Sequence, residues 1–154
     1  LNADVDELVF VPNATTAINI VLRNLEFKKG DVIIYFATIY GSCEKTIEYV
    51  TETTAAETRK INYNFPVSDA WMVNQFRVTI NDVRKEGKTP RIAIFDTVVS
   101  MPGVRMPYER LLQVCHDEGV LSFVDAAHAV GMLRLEELNL GRLKPDFFVS
   151  NLHK

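Results

Sequence analysis

Six short apolar runs, each followed by a stretch of different periodicity, constrain this chain more than any other feature. Residues 8–11, 32–36, 58–63, 92–97, 121–124 and 147–149 are rich in β-branched and aromatic side chains and lack clean polar alternation. That combination marks strands buried on both faces. Between the runs, apolar residues recur at helical spacing: Ile18, Val21, Leu22 and Leu25; Val73, Phe76, Ile80 and Val83; Tyr108, Leu111, Leu112 and Cys115; and, more sparsely, Cys43, Ile47 and Val50. Asn13 and Ser68 suit N-caps, Pro107 a first helical position, and Gly87 and Gly119 helix stops. Strands alternating with helices build βαβ units with right-handed crossovers. The expected fold is therefore α/β, a mostly parallel sheet with helices on both faces. Residues 64–66 and 87–90 punctuate one domain, with no internal repeat and no second domain.

Composition narrows the function classes. A chain of 154 residues with 47% apolar side chains is one domain able to bury a core, which excludes disorder. The net charge of −3 gives no basic footprint for nucleic acid. The longest apolar run, residues 32–37, is far short of a membrane span. Cys43 and Cys115 form no CxxC pair, so neither a zinc site nor a disulfide framework is indicated, and a cytoplasmic setting fits. The chain opens on Leu1 without a basic leader and stops at Lys154 without turn or tail residues, so it reads as a piece of a longer protein.

In parallel sheets, ligands sit beyond the carboxyl ends of the strands. Four polar clusters fall there. Asn13-Ala14-Thr15-Thr16 opens a helix, either as a plain cap or as an anion site with Thr hydroxyls added. Tyr40-Gly41 offers an aromatic that packs on its own domain or stacks on a flat ring. In Asp125-Ala126-Ala127-His128, a strand-end carboxylate needs a partner: the next turn, or a protonated ring nitrogen. In Ser150-Asn151-Leu152-His153-Lys154, the lysine is either solvated or placed to form a Schiff base with an aldehyde, given desolvation or a neighbouring cation.

The order of these clusters resembles the pyridoxal-phosphate (PLP) enzymes of fold type I, class V aminotransferase branch. The resemblance runs from Leu8 to Lys154 and is most specific in Asp125-Ala126-Ala127-His128-Ala129-Val130-Gly131 and Asn151-Leu152-His153-Lys154. It implies that residues 1–154 are part of a large cofactor-binding domain whose small C-terminal domain is absent from this chain. It implies that Lys154 bonds covalently to PLP, that Asp125 pairs with the ring nitrogen, and that His128 lies near the 3-oxygen. Ala14 and Thr15 would hold the phosphate and Tyr40 would stack on the ring. Asn151 and His153 would lie near phosphate and lysine. Ser100 stands where desulfurase relatives carry Asn, Asn151 where they usually carry Ser, and Tyr40 where many carry His.

With Met101-Pro102-Gly103 and Asn151-Leu152-His153-Lys154, these departures resemble epimerase-like and fungal C–S lyase-like members. The resemblance implies an amino-acid substrate, Lys154, Asp125 and His128 as catalytic residues, and a homodimer of the full-length protein, with residues 1–154 alone inactive. The alternatives are a class V aminotransferase, or a truncated relative acting only in binding or assembly. A nucleotide-binding doubly wound domain is disfavoured because no phosphate-loop glycine motif is present.

Overall fold

The computed structural model describes residues 1–154. After a 3-10 turn at Val5–Glu7, the elements run α1 (Ala14–Asn24), β1 (Asp31–Phe36), α2 (Gly41–Thr53), β2 (Glu57–Ile61), α3 (Asp69–Lys85), β3 (Thr89–Asp96), α4 (Tyr108–Glu118), β4 (Leu121–Ala126), α5 (Leu140–Leu143) and β5 (Phe147–Ser150). The five strands form one sheet in the order β2-β1-β3-β4-β5, and every pairing is parallel.

Side-chain alternation along the strands sorts the core onto two faces. Ile34, Phe36, Ala93, Phe95 and Val124 point toward α3 and α4, meeting Phe76, Ile80, Leu111 and Cys115. Ile33, Tyr35, Ile92, Ile94 and Phe123 point the other way, toward Ile18 and Leu22 of α1 and Ile47 and Val50 of α2. Helices thus cover both faces, and β1 is buried along its whole length. Burial on both sides explains why this strand reads as an unbroken apolar run.

The helix ends follow their local chemistry. Asn13 accepts from the Thr16 amide and Ser68 from the Trp71 amide, each satisfying a donor that the helix cannot. Gly119 ends α4 at φ 61°, the left-handed conformation that a side chain with a Cβ disfavours. Pro107 lies one residue earlier than expected, at the N-cap of α4. No helix is long and apolar enough to cross a membrane.

Residues 8–11 depart from expectation. Leu8 has extended backbone, yet the segment joins no ladder, and Val9 and Phe10 are 83% and 96% exposed. Strand propensity expresses itself only against a neighbouring strand and a packed face, and these residues have neither. The run 58–63 also shifts, to Glu57–Ile61, an edge strand that is mostly half-buried.

Candidate active site

All nine sequence-predicted site residues line one cavity of about 130 Å³ at the carboxyl ends of the strands. Asn13, Cys43, Asp96 and Ala127 complete its lining. Each wall has its own structural origin.

The first wall is the start of α1. Asn13 Oδ1 accepts from the Thr16 amide at 2.8 Å and from the Thr16 hydroxyl at 3.1 Å. The Ala14 amide donates to Asn151 Oδ1 at 3.1 Å, a buried bond that ties α1 to the end of β5. The Ala17 amide returns to the Asn13 carbonyl. Within this turn the Thr15 amide and hydroxyl remain free to meet an anion. The structure thus narrows the sequence expectation. Ala14 and Thr16 belong to this turn, but their donors are already engaged.

The floor is a pair of carboxyl groups. Asp96 and Asp125 are register partners on β3 and β4, 5% and 3% exposed. Asp125 Oδ1 accepts from the Ala127 amide at 2.9 Å, and its Oδ2 lies 3.9 Å from Cys43 Sγ in the first turn of α2. Burial raises the pKa of Asp125; the Ala127 amide and the Lys154 charge oppose that rise, joined by His128 only when its ring is protonated. Burial, and then the Asp125 charge, push the Cys43 thiol up to about 12, which makes it a poor nucleophile.

The rim carries the remaining groups. Lys154 Nζ lies 3.3 Å from His128 Nε2. Burial and then the Lys154 charge hold His128 below its ordinary pKa, so its ring is neutral at neutral pH and accepts from the lysine. Tyr40 precedes α2, half exposed, with its ring on the cavity. Ser100 comes from the turn after β3, which the Val98–Arg105 bridge closes. His153 is exposed and Asn151 is buried.

Asp96 is the residue that the sequence reading passed over. The signal was available, because a carboxylate at the end of an apolar strand is what singled out Asp125.

The class-V aminotransferase family matches residues 1–154, the whole chain. This chain belongs to the class-V aminotransferase family. Among class-V relatives, the L-cysteine desulfhydrase-like protein lolT2 of Epichloe uncinata is 44% identical over 154 residues, covering 100% of this chain and 32% of the relative. The apo cysteine desulfurase of Thermococcus onnurineus NA1 superimposes with a TM-score of 0.80 at 22% identity, over 99% of this chain and 36% of that one. A C-DES mutant with glycine covalently linked to the PLP cofactor gives a TM-score of 0.72 at 22% identity, over 90% of this chain and 35% of that one. The two structures share the fold of this chain, and the chain spans about a third of the length of the relatives it matches.

Proposed function

We propose that this chain forms the cofactor-holding part of a PLP-dependent enzyme that breaks the C–S bond of a cysteine-type amino acid. The observation that carries the reading is that Lys154, Asp125 and the start of α1 open onto one cavity. The groups present fit the cofactor part by part. Thr15 offers an amide and a hydroxyl to the phosphate. The Asp125 carboxylate suits a protonated ring nitrogen, which in turn favours the charged form of the acid. Tyr40 offers an aromatic face and Lys154 a primary amine for the aldehyde. When bound, PLP supplies an electron sink for charge that develops at the substrate's alpha carbon.

The chain's own residues divide the remaining roles. Lys154, its amine on the cavity rim, would take the proton from the substrate's alpha carbon as general base. His128, neutral at 3.3 Å, orients the amine by accepting its N–H. Asp125 keeps its charge through the Ala127 amide. Asn151 fixes α1 against β5 and so sets the distance between the phosphate end and the lysine end.

The desulfhydrase-like relative and the departures at Ser100 and Asn151 support elimination over amino-group transfer. The cavity is smaller than the roughly 300–1,000 Å³ usual for a cofactor cleft. This supports a site completed by other parts of a longer protein: a small domain and, in a homodimer, a second copy. The free, buried thiols of Cys43 and Cys115 support a cytoplasmic location.

The test uses the full-length protein with PLP and cysteine. The expected outcome is a visible-light absorbance that borohydride abolishes while fixing the cofactor, and release of sulfide, pyruvate and ammonia without a 2-oxo acid. Stoichiometric amino transfer to a 2-oxo acid, with no sulfide release, overturns the reaction assigned.

A further inference from the structure

Asp96 and Asp125 are opposed residues on adjacent parallel strands, whose backbones run about 4.8 Å apart. Strand alternation puts both side chains on the same face. Ile92 and Ile94 of β3 and Phe123 of β4 belong to the α1–α2 side, and Asp96 and Asp125 continue those two rows. Both line the cavity. Two ionised carboxylates this close and this deeply buried repel strongly, so one of the pair holds a proton.

The surroundings decide which one. Asp125 accepts the Ala127 amide, touches Cys43 and feels the positive charge of Lys154. Asp96 is helped only by its own backbone amide. Cys43 on α2 and Tyr63 beyond β2 feel Asp96, and neither is a cation; Tyr40, His128, His153 and Lys154 line the same cavity, but the Lys154 charge acts on Asp125 and not on Asp96. The first turn of α1 brings no charged side chain.

We propose that Asp96 is a positioning residue of this site: the neutral acid of the Asp96–Asp125 pair, leaving a single negative charge, on Asp125, to face a cationic ring. This rests on the PLP reading for the identity of the cation, but the location of the proton does not. Burial and the neighbouring Asp125 charge carry the pKa of Asp96 far above the usual carboxylate range, in keeping with the geometry. With both acids ionised, mutual repulsion would drive a proton onto one of them and blur the charge that Asp125 presents. With Asp96 neutral, the match to one positive charge is fixed.

The experiment is infrared spectroscopy of the full-length protein at neutral pH without cofactor, together with PLP titration across pH. The wild-type protein should show the carbonyl band of a protonated carboxylic acid. Asp96→Asn should lose that band and Asp125→Asn should not. Asp96→Asn should also keep PLP affinity within about threefold at neutral pH, because the amide mimics the neutral acid, and should lose an alkaline step in the affinity profile. Absence of the band in wild type, its survival in Asp96→Asn, or its loss in Asp125→Asn alone overturns the proposal. An unchanged pH profile in Asp96→Asn does the same. Should Asp96→Asn not fold, Asp96→Glu keeps the acid and should shift the band, and an unshifted band counts against the proposal. A wild-type protein that shows the band but fixes no PLP refutes the cofactor reading and leaves the proton on Asp96.

Discussion

Lys154 Nζ and His128 Nε2 meet at 3.3 Å, although they come from loops after different strands, β5 and β4. The amine is thus held by a neutral imidazole on the cavity rim. Replacing Lys154 with Ala in the full-length protein should abolish borohydride-trappable PLP, leaving only reversibly bound cofactor. Removing the cation should also let the His128 pKa rise toward its ordinary value, which a proton NMR titration of the ring will register.

Asp125→Ala takes away the only charge on the floor that is stabilised by its surroundings. Turnover should fall by roughly 10²–10⁴-fold, the range for losing a positioned acid–base or charge-stabilising group. PLP affinity should fall much less, since the phosphate end is untouched. Steady-state kinetics and a cofactor titration on one preparation separate the two effects.

Asn151→Ala orphans the buried Ala14 amide. An unsatisfied buried donor costs about 1–3 kcal/mol, so the midpoint of denaturant unfolding should drop by a matching amount. Asn151→Asp keeps an acceptor at that position and should recover most of the loss.

Asp96 makes folding pH-dependent. Its pKa is raised in the folded state by burial, so the folded protein binds more protons than the unfolded chain above the ordinary Asp value of about 3.9. The contribution of Asp96 to stability is therefore full below that value and is lost as pH rises toward the folded pKa. Asp96→Asn removes this dependence. Its melting temperature relative to wild type should rise with pH from 4 upward, and scanning calorimetry at several pH values will read the trend.

Cys43 and Cys115 are 1% and 0% exposed, and burial raises both thiols. Neither should react with a thiol reagent in the folded protein on the timescale that labels an exposed cysteine. Both should react once denaturant unfolds the chain, and mass spectrometry of the two peptides distinguishes them.

Most of the sheet was legible because strands buried on both faces leave unbroken apolar runs, as 32–36 does. The run 8–11 has the same composition but no strand beside it, and no single-sequence pattern records the presence of a neighbour. Most site residues were legible because they lie at or just after the carboxyl end of a strand, whereas Ala14 and Thr15 follow an apolar run that pairs with nothing. What the sequence hid was their competition for one another. Asn151 occupies the Ala14 amide, and Thr16 turns back on Asn13. Such pairings depend on segments far apart in the chain, which periodicity does not connect. Asp96 was hidden for a different reason. It sits inside the run 92–97, where four apolar side chains precede it and the strand's apolar pattern masks one carboxylate.

The Ala14–Asn151 bond joins residues 137 positions apart. A contact of that separation has a loop-closure entropy to overcome before it returns any stability. The turn that opens α1 acquires its final shape only when β5 has docked and Asn151 reaches the Ala14 amide. A phosphate-bearing ligand that needs that turn will recognise only chains in which α1 and the end of β5 have met, so ligand capture during refolding reports on that docking rather than on the first collapse.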